Sequence, residues 1–166
     1  MKFAHAEVLK FLPLLAPQDI TSTATGSSYI DIQTLTGLIE FEINFGTITS
    51  TDTTGVCTIT IEGSTSGAST DTNTEIAFQY MKSSAINTDT MGAITAASAT
   101  GIEVGPTEDN VSVLCYLDPA VLTAAVAGER WARVYLEPTT DWTATLVNVV
   151  ARATPNYSQV SQESAT

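Results

Sequence analysis

Glu40 and Glu42 are the side chains of this sequence best spaced to act together. Two positions apart on a strand, they would lie on one face about 7 Å apart. That is within the separation at which an inverting glycoside hydrolase holds its acid and its base. Their neighbours give a simpler account. Over residues 38–45, Ile39, Phe41, Ile43 and Phe45 alternate with Glu40, Glu42 and Asn44, the period of a half-buried strand with its acids toward water. The remaining candidates are weaker. The single histidine, His5, would have to serve any His-based triad, yet it lies in a terminal segment. With Glu7 and two distant cysteines it makes no zinc ligand set. Gly63-Ser64-Thr65-Ser66-Gly67 has the outline of a nucleophile elbow, but its centre is Thr65 and no helical pattern follows. Asp52, Asp71, Asp89, Glu108 and Asp109 fall in loop sequence without the D-x-D-x-D-G spacing of a calcium loop. No phosphate-binding glycine motif is present. The sequence therefore assigns no catalytic residue, no cofactor and no metal, and the chain is expected not to be an enzyme.

Composition narrows the partners. Charged residues make up 14% of the 166 positions, against about 25% in an average domain. Ser, Thr and Ala take their place. The net charge is −12, and the six Lys and Arg residues are scattered. Nucleic acid binding, which runs on phosphate neutralisation, is not expected. The acidity favours solubility and self-repulsion. Glu7, Lys10 and Pro13 interrupt the only candidate signal sequence, and no apolar run reaches the length of a membrane span. Asn110 and Asn156 begin N-x-S sequons, a chance expectation in a chain this rich in Ser and Thr. Cys57 and Cys115 each fall on the apolar side of a strand pattern. They are either buried thiols or, should their strands be neighbours, a disulfide.

The elements follow from periodicity. Ala4, Val8, Phe11, Leu12 and Leu15 have helical spacing and predict a helix over residues 3–12, ended by Pro13. So short a helix needs a surface to pack on. Residues 16–28 read as a polar linker. Strand patterns then cover 30–32, 38–45, 56–62, 76–80, 111–117, 130–137 and 142–152, with weaker signals near 91–95 and 101–104. Asp118 and Pro119 open a short helix that Gly128 closes. Short strands with polar turns and no βαβ alternation predict an all-β, antiparallel, jelly-roll-like sandwich. The expected organisation is a helical arm and linker at 1–27, a sandwich at 28–152 and a tail at 153–166. In the final hairpin, Trp131, Arg133 and Tyr135 share one side of their strand, and Ala132, Val134 and Leu136 share the other. The aliphatic side suits the core. The Trp/Arg/Tyr side faces outward or against a second layer: it suits an interface, ordinary packing under a loop or, with Trp142, a sugar-stacking platform.

The chain resembles a family of small tailed-phage structural proteins, the head decoration or cement proteins. The resemblance lies in "FAHAEVLKFLPLLAP" with its Ser/Thr/Gly linker, in "YIDIQTLTGLIEFEINFGTITSTDTTGVCTITIEGSTSG", and in "RWARVYLEPTTDWTATLVNVVARATP" with its A-R-A-x-P ending. The loop "EGSTSG" at 62–67 is less acidic than in such proteins. The resemblance implies a sandwich seated on the outside of a capsid. Its partners would be the major capsid protein and itself, as a homotrimer, with neither nucleic acid nor membrane involved. Phe3, Val8, Phe11, Leu12, Leu15, Trp131, Arg133 and Tyr135 are the expected contacts. A carbohydrate-binding or adhesin sandwich and a phage tail or connector component are the alternatives.

Overall fold

The computed structural model describes residues 9–68, 73–83, 88, 90–125 and 128–155. The described chain forms two antiparallel sheets packed face to face, as the alternation predicts. The seven-stranded sheet runs in the order β1 (Lys10–Ile20), β13 (Trp142–Pro155), β4 (Leu35–Phe45), β11 (Ser112–Leu117), β8 (Phe78–Lys82) and β9 (Thr95–Ala97), with β5 (Thr49–Ser50) paired to β13. The six-stranded sheet runs β10 (Ile102–Val104), β6 (Cys57–Ser64), β12 (Trp131–Pro138) and β2 (Thr25–Gly26). There β3 (Ile30–Asp31) joins β12 and β7 (Thr74–Ile76) joins β6. One short helix, α1 (Pro119–Ala125), follows β11.

The core is the inner side of each pleat. Ile39, Phe41 and Ile43 of β4 face Ile59 and Ile61 of β6 and Val134 and Leu136 of β12, all fully buried. Trp142 closes the core near Phe45, with ring centroids 6.5 Å apart and planes at 74°, an edge-to-face contact. Both cysteines are buried and free, Cys57 in the six-stranded sheet and Cys115 in the seven-stranded one.

The beginning of the chain departs from expectation. Where the helix over 3–12 can be followed, at Lys10, Phe11 and Leu12, the chain is strand, and it continues as strand to Ile20. Residues 3–8 lie outside the described residues. Leu12 and Leu14 turn toward the core while Phe11 and Pro13 turn outward, so the apolar residues serve a pleat rather than a helix face. Pro13 and Pro17 lack an N–H, which an edge strand tolerates, and β1 is the edge next to β13. The register slips between Pro13 and Leu15 and again before Gln18. The supposed linker at 16–28 completes β1 and then crosses to the other sheet, where Gly26 pairs with Tyr135 and Ile30 with Ala132. β13 likewise outlasts its expected end at 152 by running to Pro155. Residues 156–166 of the expected tail lie outside the described residues.

Gly101 lets β10 approach β6. Its φ is +82°, and a Cβ there would come within 2.2 Å of the Ile59 carbonyl oxygen. Gly37 also has a left-handed φ, +69°, but opens onto empty space. Gly37→Ala should cost only the left-handed strain of about 1–2 kcal/mol. Gly101→Ala should cost at least about 1 kcal/mol more, because backbone must also move. Denaturant midpoints of the two variants check this, and equal losses would contradict it.

Candidate functional site

The outer side of the seven-stranded sheet follows from the same alternation. Every second residue of β4 points away from the core, placing Leu38, Glu40, Glu42 and Asn44 on this face. The register sets Arg152 of β13 beside Glu40, and Tyr116 of β11 on its other flank. Arg152 bonds both acids: one guanidinium nitrogen lies 2.5 Å from Glu40 Oε1 and the other contacts Glu42. Its guanidinium also lies over the Phe11 ring, 5.8 Å from the centroid. Burial, then the Glu40 carboxylate beside it, push the Tyr116 hydroxyl above its ordinary pKa. The two glutamates that could have formed an acid and base pair thus share one cation on an open sheet face.

Apolar side chains share this face with the ion cluster, Phe11 directly against it. Among the described residues, the exposed large hydrophobics are Phe11, Leu38, Ile94, Val121 and Leu146. Phe11, Leu38 and Leu146 point outward from β1, β4 and β13. Ile94 lies just before β9, outside the strand. Val121 of α1 meets Leu38 across a cleft of about 330 Å³ that also touches Gln79, Ala96, Tyr116 and Asp118. Phe11, Leu38 and Leu146 therefore share the outer side of this sheet, and Val121 borders it at the cleft.

The opposite outer side, on the six-stranded sheet, is built differently. Ala132, Val134 and Leu136 fill the core, as their alternation predicts. Arg133 is not an exposed interface residue: only 8% of its surface reaches solvent. Its Nε donates to Glu62 Oε2 at 2.7 Å. The Tyr29 and Tyr135 rings lie 4.8 and 5.0 Å from its guanidinium carbon. The crossing chain covers it, since a Cβ on Gly26 would come within 2.6 Å of Nη1. Trp131 is half-buried, with Gly67 against its indole and the Arg130 guanidinium 5.5 Å from its ring. Arg130 in turn grips Asp31 with two nitrogens, which holds that carboxyl below its usual range. Trp142 is core, so Trp131, Tyr135 and Trp142 form no common sugar platform. Of the other expected contacts, Leu12 and Leu15 pack half-buried on the core. Phe3 and Val8 lie outside the described residues.

The titratable groups elsewhere are structural. Burial pushes the Cys57 thiol up to about 12 and raises that of Cys115 further. Asp52 sits in a turn where the Thr54 N–H and neighbouring hydroxyls hold its carboxyl below the usual range. A second hollow of about 320 Å³ beside it is lined mainly by Thr and Ser. Glu129 is buried against Gly63 and Leu122. Among the described residues, no three His, Cys, Asp or Glu side chains gather as a metal site, and no helix is long and apolar enough to cross a membrane. Comparison with known protein families, curated proteins and solved structures gives no match.

Sequence reasoning left a second layer over Arg133 open but not its source: the cover comes from residues more than a hundred positions away, and no local pattern announces it. The gathering of apolar residues on one face had a partial signal in Leu38 and Leu146, which fall on the polar side of their alternations.

Two outcomes follow. Arg133→Ala leaves Glu62 buried without its cation and should cost about 3–5 kcal/mol, whereas Arg133→Met with Glu62→Leu should recover most of that loss. Chemical denaturation of both checks this, and a silent Arg133→Ala would contradict the clamp. The second concerns alkali. The folded Cys57 thiol titrates above its ordinary value of 9.0, so the unfolded chain loses this proton first. Stability from the buried thiol is complete below pH 9 and drains away toward pH 12. The stability gap between wild type and Cys57→Ala should therefore shrink by about 2 kcal/mol from pH 8 to pH 10.5. A gap independent of pH would contradict it.

Proposed function

We propose that this chain is a structural virion protein that binds the outside of a phage capsid and stabilises it, with the outer side of the seven-stranded sheet as its docking face. The observation that carries the proposal is the placement of the exposed side chains of Phe11, Leu38 and Leu146 on that one side, with Val121 bordering it at the cleft. Apolar side chains gathered on one surface mark an interaction site, while scattered ones need no explanation. The Arg152 cluster on the same face adds charged groups that fix register more than they add affinity. The resemblance of the sequence to decoration proteins supports a capsid as the partner, the virion exterior as the location and a homotrimer as the assembly. A shell displays the same surface many times, so modest single contacts sum to firm attachment.

Co-sedimentation with assembled shells of the major capsid protein tests this. The wild type should pellet saturably with the shells. Leu38→Asp with Leu146→Asp should lower the affinity roughly tenfold or more, as loss of interface anchors does. Glu137→Lys, on the other sheet, should leave it unchanged. Wild-type protein that stays in the supernatant would sink the proposal.

A further inference from the structure

We infer that the cleft between Leu38 and Val121 receives an apolar side chain carried on a basic segment of the shell protein. This rests on the docking function proposed above and names the chemistry of its partner. The cleft exists because small residues meet there: Ala77, Ala96 and Ala97 leave about 330 Å³ between Phe78, Leu38 and Val121. That volume is at the small end of ligand pockets and suits one or two side chains rather than a cofactor. Leu38 and Val121, 56% and 41% exposed, form walls that an inserted side chain would cover.

Charge selects the carrier. Asp118 stands at the rim, and its Oδ1 accepts the Ala120 N–H at 2.9 Å. No described Lys or Arg pairs with it. Lys82, Arg130, Arg133 and Arg152 are each committed to another carboxylate, and Lys10 lies where its charge acts on Asp31. The protein thus offers Asp118 at the rim of the cleft with no described cation of its own paired to it. A lysine or arginine flanking the inserted side chain would complete the site. At this cleft a basic segment meets Asp118 with opposite charge, whereas a second copy brings a chain of net charge −12, so the trimer contacts proposed above are assigned to other surfaces.

Two substitutions at exposed positions test the inference in the shell co-sedimentation assay, with thermal melts confirming folding. Ala96→Leu fills the cleft and should weaken binding roughly tenfold. Asp118→Asn keeps the cap on α1 but removes the charge. It should weaken binding a few-fold at low salt and flatten the salt dependence seen in the wild type. If the wild type binds and both variants bind equally well, the inference falls while the docking function stands. If the wild type does not bind, both fall. If Ala96→Leu instead turns an oligomer into a monomer by light scattering with shell binding unchanged, a second copy occupies the cleft and the inference is overturned.

Discussion

The pleat of β4 is the constraint on which the rest depends. The strand is hydrogen-bonded on both sides, to β13 and to β11, so it cannot slip by one residue without turning Ile39, Phe41 and Ile43 into water. Burying those side chains stabilises each by roughly 1.5–3 kcal/mol, which fixes the register of three strands together. The outer face is then determined. Glu40 and Glu42 must point out, Arg152 must arrive beside Glu40, and Leu38 must stand at the mouth of a cleft. The surface proposed for docking is the reverse side of the core.

The two outer faces solve different problems. On the six-stranded sheet the segment after β1 crosses over and lies on Arg133, and a buried ion pair with Glu62 holds it between two tyrosines. A buried pair of this kind adds little net stability over an apolar substitute. What it does is position the crossing strands, because only the native path puts Gly26 and Tyr29 against the guanidinium. On the seven-stranded sheet no second layer of described chain covers the strands. Its ion pairs are partly exposed, so each adds little to stability, and its hydrophobics stay in contact with water.

Most of the sandwich was legible because half-buried antiparallel strands write their period into the sequence. Residues 38–45, 56–62 and 111–117 alternate cleanly, and they became β4, β6 and β11 within a residue or a few at each end. Asp118-Pro119 marked α1 for the same kind of local reason. The first strand was misread because Ala4, Val8, Phe11, Leu12 and Leu15 also fit helical spacing, and because Pro13 looks like a helix stop. It is an edge residue whose missing N–H costs nothing there. For the candidate site, alternation set Arg133 on the side away from the aliphatic core but did not choose between an outward place and one under a second layer. Alternation tells which side of a strand a residue takes and is silent about what later folds over it. The cleft was hidden for a similar reason: its residues come from four strands and a helix, and its space comes from alanines that look unremarkable in sequence.

Hydroxyl-radical footprinting of the protein, free and bound to shells, tests the central claim most directly, since it reports side-chain exposure on both faces at once. The account predicts that Phe11, Leu38 and Leu146 lose reactivity on binding, while Trp131 and Tyr135 keep theirs. Protection of Trp131 and Tyr135, with the seven-stranded face unchanged, would contradict it.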